Sequence, residues 1–223
     1  MAIRIITDST SDFTRAEAAQ LGLEIVPLKT RFGDEEYIDG VTISPKEFYE
    51  KLIEGDVLPT TSQPSPSEFE EVYDRVLGPE DEAVVITISA ELSGTCQSAL
   101  IAAEKYEGRV YVVDSRSASI GTQILVRRAL ELAPGAKGAA ELARRLTRER
   151  EHICVIALLD TLEYLKRGGR ISSAVAFAGG VLAIKPVISI QDGAVQLVGR
   201  ARGSKNGNNL LSEFIKKRGG VDF

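Results

Sequence analysis

One feature constrains the fold more than any other. It is a nearly uninterrupted run of apolar, β-branched residues in the middle of the chain, Ala83–Ile88 (AVVITI). A strand of this composition has no polar face to turn towards water, so it is predicted to lie buried on both faces, as the inner strands of a parallel sheet do. Similar short runs occur at Ala2–Thr7 and Arg109–Val113, with helical stretches between them. This alternation of strand and helix predicts an α/β fold in which helices cover a parallel sheet.

Two helix starts share one sequence pattern. The segments Ser44–Glu47 and Ser65–Glu68 each place a serine before a proline and a glutamate three residues after the serine. This is a capping box with proline at the first helical position, and it predicts helices over 45–53 and 66–77. The other elements expected in this half are a helix over 13–21, one strand over 24–32, an acidic turn over 33–40, a loop over 59–64, and helices over 93–105, 117–132 and 136–151.

The sequence pattern changes after Glu151, and a second unit is predicted there. The residues 191–193 (QDG) stand between two short apolar runs, which is typical of a hairpin. We expect an N-terminal α/β domain over 1–151 and part of an α+β domain over 152–223. The elements expected in the second domain are a strand over 153–159, a capping box at Asp160–Glu163 that opens a short helix ending at Gly168–Gly169, a helix over 172–183, hairpin strands over 186–190 and 194–198, and a helix over 204–217.

Composition excludes several classes of protein. The chain of 223 residues has a net charge of −5, which argues against a general nucleic-acid binder. The sequence has no apolar run near the ~18 residues that a membrane span needs, and no basic, apolar leader is expected at its start. Its two cysteines, Cys96 and Cys154, lie outside any metal or redox spacing. We therefore expect a cytoplasmic protein without a metal or cofactor.

Two clusters of small hydroxyl residues run straight into predicted helices, Thr60–Ser65 and Ser89–Thr95. A helix start offers unpaired N–H groups and the positive end of the dipole, so hydroxyls there suit a small anion. Thr61 precedes any helix and is not needed as a cap, whereas Ser65 and Ser93 also fit plain capping roles. Neither cluster has a histidine or carboxylate spaced to turn a hydroxyl into a nucleophile. The pattern favours capture of an anion over chemistry on it.

Other polar residues fit structural roles as well as functional ones. The basic run Lys166–Arg170 fits either the C-terminus of a helix or the placement of Arg170 beside an anion. The basic cluster formed by Arg200, Arg202 and Lys205 fits a solvated edge of the protein. Asp8 and Asp12 are expected to be turn or cap residues in preference to metal ligands. Cys96 is expected to be a packed residue, although the helix dipole would lower its pKa. His152 lies far in sequence from both hydroxyl clusters, so a Ser–His catalytic pair is not expected.

Six segments, spread in a fixed order over nearly the whole chain, match the motifs of one family. They are Ile5–Phe13 (IITDSTSDF), Val57–Phe69 (VLPTTSQPSPSEF), Ser89–Ala99 (SAELSGTCQSA), Val112–Ser115 (VVDS), Leu162–Ser172 (LEYLKRGGRIS) and Lys185–Gly193 (KPVISIQDG). With these motifs the chain resembles the DegV family, which includes the fatty-acid-binding subunits of bacterial fatty acid kinase.

The resemblance implies a two-domain, non-catalytic protein that holds one long-chain fatty acid between its domains and offers the carboxylate to a partner kinase. The second domain would cover the acyl chain, with the stretch 174–184 lining an apolar tunnel. Family members continue further, with a histidine near the carboxylate, so we expect the second domain to be incomplete here. Carried over residue by residue, the resemblance implies that Thr61 and Ser93 bind the carboxylate. It implies support for them from Ser62, Gly94 and Thr95. It also implies that Arg170 lies near the acyl-phosphate and that Arg202 belongs to the surface that docks the kinase.

Two other functions remain open on the sequence alone. In one, Ser93 is the nucleophile of an acyl hydrolase or transferase, which needs a base close to Ser93. In the other, the helix start at Ser93 binds a phosphate or a nucleotide, although the chain has no P-loop motif.

Overall fold

The computed structural model describes residues 2–55, 57–171 and 184–220. The chain divides into two compact units, Met1–Ile153 and Cys154–Phe223. The helix predicted over 172–183, and with it most of the stretch 174–184, lies outside the described residues. None of the helices within the described ranges is long and apolar enough to cross a membrane.

The first unit contains two sheets and six helices among its described residues. Its strands are β1 (Ile3–Asp8), β2 (Glu24–Val26), β3 (Lys29–Phe32), β4 (Glu35–Ile38), β5 (Thr60–Ser62), β6 (Glu82–Thr87) and β7 (Val110–Asp114). Its helices are α1 (Arg15–Leu21), α2 (Pro45–Glu54), α3 (Pro66–Val76), α4 (Thr95–Ala103), α5 (Ile120–Leu132) and α6 (Ala139–Glu149).

The central sheet has four parallel strands in the order β2-β1-β6-β7. The apolar run of β6 lies inside this sheet, and both of its faces are covered by helices. On one face Val85 belongs to a cluster with Phe69 of α3 and Ala99 of α4. On the other face Val84 belongs to a cluster with α5 and with Leu142 of α6. The predicted α/β fold with a covered parallel sheet is thereby confirmed.

The second sheet of this unit was not predicted. The single strand expected over 24–32 is wrong, because the chain breaks near Pro27, which has no N–H to donate to a ladder. As a result β2 pairs with β1, while β3 pairs in antiparallel fashion with β4 and β5. The acidic turn expected over 33–40 contains β4, which a tight turn at Gly33 (φ 59°) joins to β3. Part of the loop expected over 59–64 is β5.

The capping boxes predicted for α2 and α3 are both present. Ser44 and Ser65 each accept from the backbone N–H of a glutamate three residues later, and each glutamate carboxylate accepts from the serine N–H. Helices α2 and α3 consequently begin at the prolines, as predicted. The α3 box also fixes the chain that leaves β5.

The second unit is a three-stranded antiparallel sheet with helices. Its elements are β8 (Val155–Leu158), α7 (Glu163–Arg167), β9 (Ile184–Gln191), β10 (Ala194–Arg202) and α8 (Gly203–Lys217), and the strand order is β10-β9-β8. The predicted hairpin is confirmed: Asp192 and Gly193 take the positive φ values (50° and 83°) of a tight two-residue turn. Helix α8 packs closely on the sheet at Gly207, where an added Cβ would lie 2.5 Å from Leu158.

The capping box predicted at Asp160–Glu163 is wrong. Helix α7 has Leu162 as its N-cap, without a side-chain cap. The Asp160 carboxylate instead forms an ion pair with Lys185 of β9, and Thr161 Oγ1 accepts from the Glu163 N–H at 3.0 Å. Lys185, which is distant in sequence, therefore takes the Asp160 carboxylate away from the predicted local cap.

Helix α6 receives its cap from a distant residue. Its N-cap, Gly138, has no side-chain cap, and Glu82 Oε2 accepts the Ala139 N–H at 2.6 Å. We expect Glu82→Ala to lower the free energy of unfolding by about 1–2 kcal/mol, because a helix N–H then loses a charged acceptor. Urea denaturation followed by circular dichroism measures this free energy. Glu82→Gln should lower it by less than Glu82→Ala does. An equal loss in the exposed neighbour Glu80→Ala would contradict this capping role.

Candidate functional site

The loop between β6 and α4 lies at the carboxyl edge of the parallel sheet, where α/β proteins bind ligands. The carboxylate of Asp8, at the end of β1, accepts from the Ile88 N–H at 2.7 Å and from the Thr10 N–H at 2.9 Å. Asp8 is fully buried, and this burial raises its pKa. Asp8 therefore holds the start of the loop and caps its own turn.

The loop is also fastened to the end of β7 and to the segment that follows this strand. The Ser89 N–H donates to the Ser117 carbonyl at 2.8 Å, and the Ala90 N–H donates to Asp114 Oδ1 at 3.3 Å. Within the loop, the Ser93 N–H donates to the Ser89 carbonyl at 3.1 Å. Residues 88–94 thus form a fixed turn. Among the described residues no group of three histidine, cysteine or acidic side chains could hold a metal ion.

Helix α4 begins without a side-chain cap, because its N-cap is Gly94. The capping role considered for Ser93 is wrong. Ser93 Oγ instead shares a hydrogen bond with Thr95 Oγ1 at 2.9 Å and accepts the Thr95 N–H at 3.3 Å. Cys96 follows in the first turn, and burial raises its pKa despite the helix dipole, which suits a packed thiol. The helix start is therefore lined by hydroxyls and backbone N–H groups.

The first hydroxyl cluster lies on β5, which β3 holds in place. Thr61 pairs with Thr30 and Ser62 with Lys29. Lys29 Nζ lies 2.9 Å from Glu68 Oε1, so an ion pair fastens β3 to α3. The hydrogen bond to Glu68 raises the pKa of Lys29. Successive residues of a strand point to opposite faces, so the exposed side chains of Thr61 and Ser62 leave β5 in opposite directions.

One side chain joins the two hydroxyl clusters. Gln63 follows β5, and its Nε2 donates to Ser98 Oγ in α4 at 3.1 Å. Its amide also covers Gly94, where an added Cβ would lie 2.6 Å from Nε2 and 2.7 Å from Cδ. No role is predicted for Gln63 from the sequence alone. Its position in a hydroxyl-rich segment was visible, but its reach to α4 depends on the pairing of β5 with β3.

The two arginines expected at the site, Arg170 and Arg202, both lie in the second unit. Arg170 is exposed in the turn after α7, and its Nη1 donates to the Gly168 carbonyl. Arg202 is exposed at the end of β10, and its carbonyl accepts from Asn206 Nδ2 at 2.9 Å. The same unit has a cleft of about 390 Å³ lined by the residues Asp160, Thr161, Leu162, Glu163, Lys166, Arg167, Ile184, Pro186 and Arg200.

The contact between Gln63 and Gly94 is testable by a double-mutant cycle. Gly94 has φ −72° and ψ 5°, which alanine also adopts. We expect Gly94→Ala to lower the free energy of unfolding by about 1 kcal/mol, because the methyl group displaces the Gln63 amide from Ser98. In a Gln63→Ala background this cost should disappear, as measured by urea denaturation. The same cost in both backgrounds would show that Gly94 is required for another reason.

Known proteins match the chain over nearly its whole length. The family model described as "Uncharacterised protein, DegV family" matches residues 2–221. A DegV domain-containing protein from Deinococcus radiodurans is 39% identical over 217 residues, which are 97% of this chain and 77% of that protein.

Solved structures of the same family share this fold. A fatty-acid-binding DegV family protein from Thermus thermophilus has 40% identity and a TM-score of 0.87, covering 97% of this chain and 78% of its own. A DegV family protein from Eubacterium eligens, loaded with heptadecanoic acid, has 25% identity and a TM-score of 0.83, covering 97% and 78% of the two chains. The motifs, the fold and these matches agree: the chain belongs to the DegV family.

Proposed function

We propose that this protein binds one long-chain fatty acid and presents its carboxylate for phosphorylation by a separate kinase subunit. The observation that carries the proposal is the contact of Gln63 with Gly94 and Ser98, which brings β5 to the start of α4. The family relatives from Thermus thermophilus and Eubacterium eligens, which bind fatty acids, support the choice of ligand.

The site can bind a carboxylate through hydrogen bonds from neutral donors, without a positively charged side chain. The segments 57–65 and 88–98 contain no lysine, arginine or histidine. A carboxylate removed from water must keep its hydrogen bonds, and the first-turn N–H groups of α4 with the nearby hydroxyls supply donors. The acyl chain would contribute about 0.8 kcal/mol for each buried methylene. A carboxylate held this way keeps an oxygen able to attack a phosphoryl group.

Each predicted residue contributes to carboxylate binding in a different way. Thr61 donates its hydroxyl to the carboxylate from β5, and Ser93 does so from the loop before α4. Ser62 points to the opposite face, so its contribution is through its backbone. Gly94 leaves room for the Gln63 amide, and Thr95 orients the Ser93 hydroxyl through their shared hydrogen bond.

The contacts of Ser93 favour binding over catalysis. Within the described part of the chain its side chain contacts the N–H and hydroxyl of Thr95, and neither group is a base. A serine nucleophile needs an adjacent proton acceptor. Phosphorylation would then be the work of the partner: a carboxylate oxygen attacks the γ-phosphorus of ATP, the bond to the bridging oxygen breaks, and ADP leaves. The kinase would supply ATP, metal and catalysis, with Arg170 beside the acyl-phosphate.

Ligand and site are tested together by mass spectrometry of the purified protein, native and after organic extraction. We expect one fatty acid per chain. Thr61→Ala/Ser93→Ala should weaken oleate binding at least about 100-fold, since each lost hydrogen bond to a charged group costs about 1.5–3 kcal/mol. The matched control is Thr60→Ala/Ser67→Ala, which removes two exposed hydroxyls that are not assigned to the carboxylate and should bind oleate normally.

Other results of that measurement would overturn the proposal. A nucleotide in the extract, absorbing near 260 nm, would favour the phosphate-binding alternative. Labelling of Ser93 by a fluorophosphonate probe would favour the hydrolase. A chain that is empty and also fails to take up added oleate or palmitate would contradict fatty-acid binding by this chain.

The kinase step has its own prediction. Oleate-loaded protein, ATP, Mg²⁺ and a bacterial fatty acid kinase catalytic subunit should yield acyl-phosphate, trapped by hydroxylamine as the hydroxamate. Arg202→Ala should lower this rate about tenfold without lowering bound oleate, because a docking arginine contributes to partner affinity. Lys205→Ala, one turn along α8, is the control. Equal rates in both variants would remove Arg202 from the docking surface.

A further inference from the structure

The parallel sheet of the first unit has an open edge at β7, which pairs with β6 on one side only among the described residues. The direction of its backbone groups follows from two hydrogen bonds. The Arg109 carbonyl accepts from Ala83 and the Ser115 N–H donates to Thr87, so alternate residues starting at Arg109 face β6. Val110 and Val112 therefore turn their N–H and C=O groups away from the sheet.

These outward groups form one wall of a groove. The groove has a volume of about 570 Å³ and runs along β7 between α4 and α6. Leu100 and Ala103 line it from α4, and Ala140 and Ala143 line it from α6. The small alanine side chains keep the helices from covering the strand edge, so an extended segment has room to pair with it.

One end of the groove is closed by a side chain of the same unit. The next outward carbonyl, that of Asp114, accepts from Arg150 Nη1. This guanidinium occupies the place that the N–H of an added strand would take. The open ladder is therefore confined to the region of Val110 and Val112.

The rim of the groove is basic. Arg144 and Arg148 are exposed one turn apart on α6, and both line the groove. In the part of the chain that the structure describes, neither guanidinium forms an ion pair, whereas the neighbouring Arg145 pairs with Glu149 at 2.8 Å. Two unpaired positive charges beside unpaired backbone groups suit an extended segment that carries carboxylates.

We propose that the β7 groove binds an extended acidic segment of a partner protein as an additional strand. Main-chain hydrogen bonds to Val110 and Val112 would hold the segment, and its carboxylates would pair with Arg144 and Arg148. A second copy of this chain fits less well. Antiparallel pairing of two β7 strands needs a two-fold axis perpendicular to the sheet, which places both α6 helices on one face with these arginines opposed.

The probe is a fluorescein-labelled heptapeptide of alternating valine and glutamate, titrated with the whole chain by fluorescence anisotropy. Saturable binding is expected at low ionic strength, with Arg144→Glu/Arg148→Glu weakening it at least about tenfold. The control Arg15→Glu/Lys46→Glu makes the same change in net charge outside the groove and should stay within about twofold of the parent. Amide hydrogen exchange should slow at Val110 and Val112 when the peptide is bound.

Several results would overturn the proposal. They are absence of saturable binding, equal weakening by the two charge-reversal pairs, equal binding of a valine–lysine heptapeptide, and protection of amides elsewhere in place of β7. A dimer in sedimentation experiments that Val112→Pro disrupts would assign the edge to a second copy. This substitution removes an N–H that the sheet does not use.

Discussion

The side-chain amide of Gln63 is the physical link on which the site of the first unit depends. It covers Gly94 and donates to Ser98 in α4. β5 is a strand of the small antiparallel sheet, and this side chain connects it directly to α4. Gly94 allows this contact because it has no side chain, and the same absence leaves the first turn of α4 without a side-chain cap.

Two sheets hold the segments that this side chain joins. The parallel sheet holds the loop before α4, and the small antiparallel sheet holds β5. Asp8 and Asp114, at the ends of β1 and β7, hold the loop that carries Ser93. The pairing of β5 with β3 and the ion pair between Lys29 and Glu68 hold the segment that carries Thr61. A site built on held backbone can meet an anion with neutral donors.

Local rules predicted much of the fold and the two segments of the candidate site that Gln63 joins. The capping boxes of α2 and α3, the buried parallel strand and the hairpin at Asp192–Gly193 depend on neighbours in sequence, and the structure has these elements. The failures depend on partners far away in the chain: Lys185 takes Asp160 from its expected cap, and the sheet containing β3 to β5 forms across a break near Pro27. The reach of Gln63 to α4 is a tertiary contact of the same kind, so the segment was identified but its bridging residue was not.

The most direct test of the central claim is carbon-13 NMR of oleate labelled at the carboxyl carbon and bound to the protein. A carboxylate held between β5 and α4 should give one sharp resonance, distinct from free oleate, that shifts in Thr61→Ala and separately in Ser93→Ala. Thr60→Ala, on the opposite face of β5, should leave it unchanged. A bound resonance that none of the three substitutions moves would place the carboxylate elsewhere and contradict the site described for this chain.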